Sequence, residues 1–341
     1  MTFRNLITDV AGVSVGHAGD RTLASGVTAV VFDRPAVGSV DVRGGGSGTR
    51  ETALLDPAQT VEGVDAIALS GGSAFGLDTA SGVQALLRER GRGFRVRDAL
   101  VPIVPGAILF DLLNGGDKAW GRFPPYRDLG YAATAAASAD FALGSVGAGL
   151  GATTANYKGG VGSASAATPD GLIVGALAVV NGVGTATIGD GPHFWAAPFE
   201  QNSEFGGLGM PTHLSADDLA LRAKGAPASA PGENTTIAVL VTDAKLTKAQ
   251  CHRLAVMASD GFSRALYPVH TPLDGDVIFA ASTGDKPLSD PHFGLAELGL
   301  HAANAMARAI ARGVYEAAAL PFPGALPAWK DRFGSRVNRS A

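Results

Sequence analysis

Asn234-Thr235-Thr236-Ile237-Ala238-Val239-Leu240-Val241 turns a loop into a buried strand within one or two residues. Upstream, residues 224–233 (Lys-Gly-Ala-Pro-Ala-Ser-Ala-Pro-Gly-Glu) have the small-residue and proline content of a loop. Downstream, an unbroken apolar run marks a strand covered on both faces. Two hydroxyl residues stand at the junction. A threonine placed there has a chemical option. Its hydroxyl can attack the carbonyl of Asn234, break the Asn234–Thr235 bond and leave Thr235 as a new chain start. The freed α-amino group, with an ordinary pKa near ~8, then serves as base for the same hydroxyl. β-Branched residues also open strands merely because they suit them. The junction alone is compatible with both readings.

Outward from this junction, strands alternate with apolar helices. Val27–Phe32, residues 40–43, Asp65–Leu69, Leu172–Val180, residues 235–243 and Val277–Ala281 read as strands. Residues 94–97 and 101–112 read as extended. Helices are expected over 75–90, 132–142, 247–266 and 295–320, with a short one over 215–222 capped by Ser215. Residues 144–165 are glycine-rich. Strands apolar on both faces, alternating with helices, predict an α/β sandwich in which a pair of sheets is covered by helices.

The 341 residues are 46% hydrophobic and 17% charged, which describes a well-buried globular chain. A net charge of −4 and a pI near 6.0 give no electrostatic footprint for nucleic acid. Mean hydropathy is +0.18, high enough to suggest that subunit contacts cover part of the surface. No apolar run reaches the ~20 residues that span a bilayer, and the first residues lack a signal core. The single cysteine, Cys251, excludes internal disulfides and fits a reducing, cytoplasmic setting. It falls on the apolar face of its helix and reads as core. The seven histidines form no HxH or HExxH pair, so neither a metal nor another cofactor is expected.

Four further positions carry chemical possibilities, each beside an ordinary one. Asn181 ends an apolar strand, where its amide can donate to a developing oxyanion or sit in a plain Asn-Gly turn. Lys158 lies between glycine-rich stretches and is either close to a nucleophile or solvated. Asp274-Gly275-Asp276 precedes a strand; its carboxylates can hold an α-ammonium and a hydroxyl, or form an acidic turn. Ser73 in Gly71-Gly-Ser-Ala-Phe75 follows a strand and opens a helix, as a nucleophile elbow does. The elbow pattern needs glycine where this chain has Phe75.

Taken in order, the chain's motifs resemble those of the DmpA-type L-aminopeptidases/D-Ala-esterases, a family that includes β-peptidyl aminopeptidases and 6-aminohexanoate-oligomer (nylon-oligomer) hydrolases. The blocks run from Ile7-Thr-Asp-Val-Ala-Gly-Val-Ser-Val-Gly-His17 through Ala68-Leu-Ser-Gly-Gly-Ser-Ala-Phe-Gly-Leu77 and Lys158-Gly-Gly-Val-Gly162. They continue through Val179-Val-Asn-Gly182 and Asn234-Thr-Thr-Ile237 to His270-Thr-Pro-Leu-Asp-Gly-Asp276. The resemblance implies an αββα four-layer sandwich of the N-terminal-nucleophile type and one domain over 1–341. It implies autocleavage at Asn234–Thr235 into a large chain 1–234 and a small chain 235–341. Thr235 then matches the nucleophile, Asn181 the oxyanion amide and Lys158 a lysine near the nucleophile. Asp274 and Asp276 match the pair that hydrogen-bonds the nucleophile region, and the paired aspartates lean toward the oligomer hydrolases. Phe110 stands where a tyrosine is expected. The implied protein is a homotetramer of processed pairs, acting on small linear amides. Its rivals are a serine hydrolase using Ser73 and an unprocessed, non-catalytic relative.

Overall fold

The structure, a computed structural model, describes residues 3–225 and 234–337. Most of the loop expected over 224–233 therefore lies outside the described residues. The elements in chain order are β1 (Val13–Asp20), β2 (Ser25–Val42), β3 (Gly48–Arg50), β4 (Gly63–Ser70) and α1 (Thr79–Glu89). Then come β5 (Phe94–Val96), β6 (Ala99–Val101), β7 (Gly106–Ile108), α2 (Tyr126–Ala135), β8 (Val161–Ala167) and β9 (Ile173–Asn181). The remainder are β10 (Thr235–Ala244), α3 (Lys248–Ala258), α4 (Asp260–Ser263), β11 (Val277–Lys286), α5 (Phe293–Tyr315) and α6 (Trp329–Val337). One sheet runs β3-β7-β4-β2-β11-β10-β9-β8, with β1 paired to β2, and β5–β6 form a separate hairpin.

The period of two along the central strands divides the core into layers. On β10, Ile237, Val239 and Val241 face inward. They meet Leu177 and Val179 of β9, Phe279 of β11, and Val13, Val15, Val30, Phe32, Ile67 and Leu69 from the other half of the sheet. Ala238 and Leu240 point the other way, onto Leu254 of α3, Phe262 of α4 and Met306 and Ile310 of α5. On β2, Val27, Ala29 and Val31 face Ala80, Val83 and Leu87 of α1 and Tyr126 and Ala133 of α2. The result is helix, sheet, sheet, helix: the αββα sandwich expected from strands apolar on both faces.

One strand joins the two sheet layers. The first half of β2 pairs with β1 and β4, and residues 37–42 pair antiparallel with β11. Two strands were expected here because the apolar pattern stops at Asp33-Arg34-Pro35. Those residues are exposed, but the backbone stays extended through them, and the register with β4 shifts between Val31 and Ala36.

Other boundaries also move. The helix expected over 75–90 opens as a 3₁₀ turn, Ser73–Asp78, and α2 lies N-terminal to the expected 132–142. The helix expected over 247–266 breaks at Ser259 into α3 and α4. A capping box starts α3: Thr247 Oγ1 accepts the Gln250 N–H at 3.2 Å and Gln250 Oε1 accepts the Thr247 N–H at 2.9 Å, worth about 1 kcal/mol. Residues 215–222 do not form a helix. Ser215 Oγ accepts the Asp218 N–H at 3.2 Å, and the turn does not propagate. Among the described residues no helix is long and apolar enough to cross a membrane.

Candidate active site

β10 begins at Thr235 directly opposite Asn181, the last residue of antiparallel β9. Paired residues of antiparallel strands project to the same face, so Thr235 and Asn181 share one side of the sheet. Just before Thr235, Asn234 runs parallel to Asp274. That contact brings Gly275 against the junction. Its N–H donates to the Asn234 carbonyl oxygen at 2.7 Å. Thr235 Oγ1 donates to the same oxygen at 2.5 Å. A side-chain hydroxyl and a backbone donor thus converge on the carbonyl of the Asn234–Thr235 peptide. Gly275 is needed for its lack of a side chain: a Cβ there would lie 2.6 Å from Thr235 Oγ1. Thr235 is 1% exposed, and both polar atoms of the buried Asn234 side chain lack a partner.

The two aspartates clamp the backbone around this junction. Asp276 Oδ1 accepts the Thr236 N–H at 2.8 Å, and its Oδ2 accepts from His270 Nδ1 at 2.8 Å and from the His270 N–H at 3.2 Å. A carboxylate only accepts, so His270 carries its proton on Nδ1. Asp274 Oδ1 takes the Val183 N–H at 3.0 Å, and Oδ2 takes the Thr271 hydroxyl at 2.8 Å and N–H at 3.0 Å. Burial pushes the Asp274 carboxyl up, and the neighbouring Asp276 adds to the rise. Asp276 thus holds the residue after Thr235, whereas Asp274 shapes the turn that presents Gly275.

Asn181 faces the other way as well. Its Oδ1 accepts the Thr153 N–H at 2.9 Å and Lys224 Nζ at 3.0 Å, and its Nδ2 donates to Phe110 O at 3.1 Å. Beyond it opens a cavity of about 420 Å³, with Phe110, Leu113, Leu320 and Leu326 among its apolar walls and Asp111, Lys158 and Lys224 among its polar ones. Lys158 is expected beside the nucleophile, yet its ammonium donates to the carbonyls of Gly149 (2.9 Å), Ala152 (2.7 Å) and Gly159 (2.8 Å). All three donors are thereby used. Burial pulls Lys158 down to about 7, with Asp111 opposing and Lys224 reinforcing the fall. Thr235 is not among the cavity-lining residues; its strand partner Asn181 is hydrogen-bonded to the lining residues Phe110, Thr153 and Lys224.

Ser73 sits at φ 53° and donates its N–H to Leu109 O at 2.9 Å. Among the described residues no histidine or carboxylate hydrogen-bonds its hydroxyl. The preceding Gly72 has φ 83°, and a Cβ there would meet the Tyr126 ring at 2.1 Å, so close packing explains the glycine. Gly72 also gives its N–H to Asp111 Oδ1 at 2.8 Å. Cys251 is fully buried in α3, and burial pushes its thiol up to about 12. Gly275, His270, Lys224 and Asp111 were not singled out from sequence. Gly275 was legible as the residue enclosed by the aspartate pair.

Comparison with known proteins identifies the family. The sequence profile of Peptidase family S58 matches residues 5–324. The chain belongs to peptidase family S58. Membership makes it a hydrolase of peptide or amide bonds. An uncharacterized aminopeptidase of Mycobacterium tuberculosis is 43% identical over 96% of this chain and 98% of its own length. A 6-aminohexanoate-oligomer endohydrolase of Kocuria sp. is 29% identical over 82% of this chain and 75% of its own. Among solved structures, the L-aminopeptidase D-Ala-esterase/amidase of Ochrobactrum anthropi superposes with a TM-score of 0.69 at 21% identity. The match covers 98% of this chain and 94% of that one. That structure is described as a variant of the Ntn hydrolase fold, and the four layers of this S58 chain are the same architecture.

Proposed function

We propose that this S58 chain is a self-processing amidohydrolase whose nucleophile is Thr235. The observation that carries the reading is the convergence of Thr235 Oγ1 and the Gly275 N–H on the Asn234 carbonyl oxygen. In the processing step, Oγ1 bonds to the Asn234 carbonyl carbon and the carbonyl oxygen becomes an oxyanion facing the Gly275 N–H. The carbon–nitrogen bond then breaks, and the hydroxyl proton ends on the freed Thr235 nitrogen. Water cleaves the resulting ester, leaving a large chain 1–234 and a small chain 235–341.

In the mature protein, the Thr235 α-amino group takes the hydroxyl proton as Oγ1 attacks a substrate amide. In this reading the Asn181 Nδ2 and the Gly275 N–H hold the oxyanion. The leaving amine receives the proton, and water releases the acyl group. The cavity beyond Asn181, walled by Phe110, Leu113, Leu320 and Leu326, suits an unbranched apolar chain on one side of the scissile bond. With relatives named as aminopeptidases and as an aminohexanoate-oligomer endohydrolase, the substrates are small linear amides. The absence of a hydroxyl on Phe110 leaves oxyanion support to the amide donors. Assembly of processed pairs into a tetramer belongs to the same reading, and sedimentation measures it.

A denaturing gel of purified protein tests the reading. The 34.4 kDa chain should give pieces of roughly 24 and 11 kDa, and the smaller should begin at Thr235. A single uncut band with full amidase activity, or a small piece starting elsewhere, rejects it.

A further inference from the structure

Lys224 reaches Asn181 from a part of the chain otherwise remote from the site. Its N–H donates to Val183 O at 2.9 Å, anchoring the backbone. Its ammonium then bridges β9 and the segment before Lys158. It lies 3.0 Å from Asn181 Oδ1, 3.2 Å from Asn181 O, 3.1 Å from Thr153 O and 3.3 Å from Thr153 Oγ1. The side chain is half-buried at the cavity edge.

An asparagine amide has two ends of nearly equal shape, and only its partners decide which end is oxygen. Here the oxygen faces the Thr153 N–H and an ammonium that has no accepting atom. The nitrogen is therefore forced toward Phe110 O. One Nδ2 hydrogen is used there; the second meets no acceptor among the described residues. A cation against the oxygen of an amide also draws electron density from its nitrogen and makes the N–H a stronger donor. We propose that Lys224 is a positioning residue that orients and polarises the Asn181 amide, so that its remaining N–H binds the oxyanion formed at Thr235. This rests on the oxyanion role of Asn181 in the function proposed above. Lys224 never touches the reacting atoms. It acts through Asn181, and its charge counts most when the oxyanion carries its own.

A double-mutant cycle on the processed enzyme tests it. The substrate is alanine p-nitroanilide or 6-aminohexanoate trimer, whichever the wild type turns over faster. Lys224→Met should lower kcat by about 10- to 100-fold and leave KM within about threefold, the pattern of an interaction felt in the transition state. Lys224→Arg, which keeps the charge, should recover to within about fivefold of wild type. In an Asn181→Ala background, Lys224→Met should cost less than about threefold more, because its route to the reaction is gone. Fully multiplicative effects, a loss confined to KM, or an arginine variant as impaired as the methionine one would each overturn the proposal. If Lys224→Met does not accumulate as folded, cleaved protein, Lys224→Arg and Lys224→Gln decide it. Arginine should exceed glutamine by about tenfold in kcat, and equal rates overturn it. An unimpaired Asn181→Ala removes the underlying oxyanion reading. An impaired Asn181→Ala with independent Lys224→Met removes this inference alone.

Discussion

On one side of Asn181 lies Thr235, positioned almost wholly by backbone. On the other lies a cavity with three charged side chains among its polar residues. The Thr235 side uses strand pairing, the close approach of Gly275 and two carboxylates that accept N–H groups. The cavity side uses Lys158, whose ammonium is spent on three carbonyls, Asp111 beneath the Gly72 turn, and Lys224. Backbone can hold a reacting carbonyl with little freedom left to lose. A buried charge must first be solvated by the protein, and its protonation then depends on pH. The two sides should therefore fail differently under mutation.

The largest effect belongs to the hydroxyl. Thr235→Ala should remain a single full-length chain on a gel, with turnover lower by about 10⁴-fold or more, because both events use one group. Cleavage without Oγ1 would end the backbone-built picture at its centre. Next come the two donors. Asn181→Ala should lower kcat by about 10²- to 10³-fold with little change in KM. A change confined to KM would move Asn181 to the cavity side as a ground-state binding residue. Gly275→Ala should slow self-cleavage by about 10²-fold in a time course of band conversion, since the new methyl collides with Thr235 Oγ1. Wild-type conversion would show that the turn yields easily.

A smaller effect separates the cavity by pH. Burial pulls Lys158 from its ordinary 10.5 to about 7. Above 10.5 neither the folded nor the unfolded chain carries this charge. Between 10.5 and 7 the unfolded chain takes up a proton that the folded chain resists, so stability falls as pH falls, and it levels off below about 7. The Tm of wild type minus that of Lys158→Met should thus rise between pH 7 and 10 in thermal melts. A flat difference would mean that the three carbonyls hold the ammonium at no net penalty. The smallest effect is at Ser73. Ser73→Ala should be cleaved normally and keep its turnover within about twofold, as no histidine or carboxylate among the described residues hydrogen-bonds its hydroxyl. A folded, cleaved and inactive Ser73→Ala would shift the chemistry away from Thr235.

Much of the Thr235 side was legible because its signals are local. The loop-to-strand boundary at Asn234–Thr235 and the Asp274-Gly275-Asp276 turn are contiguous in sequence, and strands apolar on both faces announced the layers. The cavity side was opaque for the opposite reason. Lys224, Thr153 and Asn181 meet only after folding, and Lys158 has a meaning only once its carbonyl partners are in place. Two strand misreadings have equally physical causes. β8, Val161-Gly-Ser-Ala-Ser-Ala-Ala167, is made of small residues because α5 packs closely on it: a Cβ on Gly162 would lie 1.9 Å from Ala309 O. Small residues hide the usual β-branched signal. β2 is polar in its middle because Asp33, Arg34 and Pro35 lie outside the core while their backbone continues the strand. The Ser215 turn shows the reverse, a cap signal with no apolar face behind it to extend a helix.

The strand order has a further consequence once the chain is cut. β10 and β11 would then belong to the small piece, yet they lie between β2 and β9 of the large one. The two products would share one sheet, with strands of the small piece hydrogen-bonded on both sides to strands of the large one. The layer that holds β11, β10, β9 and β8 is shared between the pieces, so the two should melt together and stay associated in native solvent. Their unfolding would gain a further dissociation, that of the two pieces, which strengthens the rise of melting temperature with protein concentration. The uncut Thr235→Ala chain, whose two parts stay covalently joined, should show a weaker dependence on concentration.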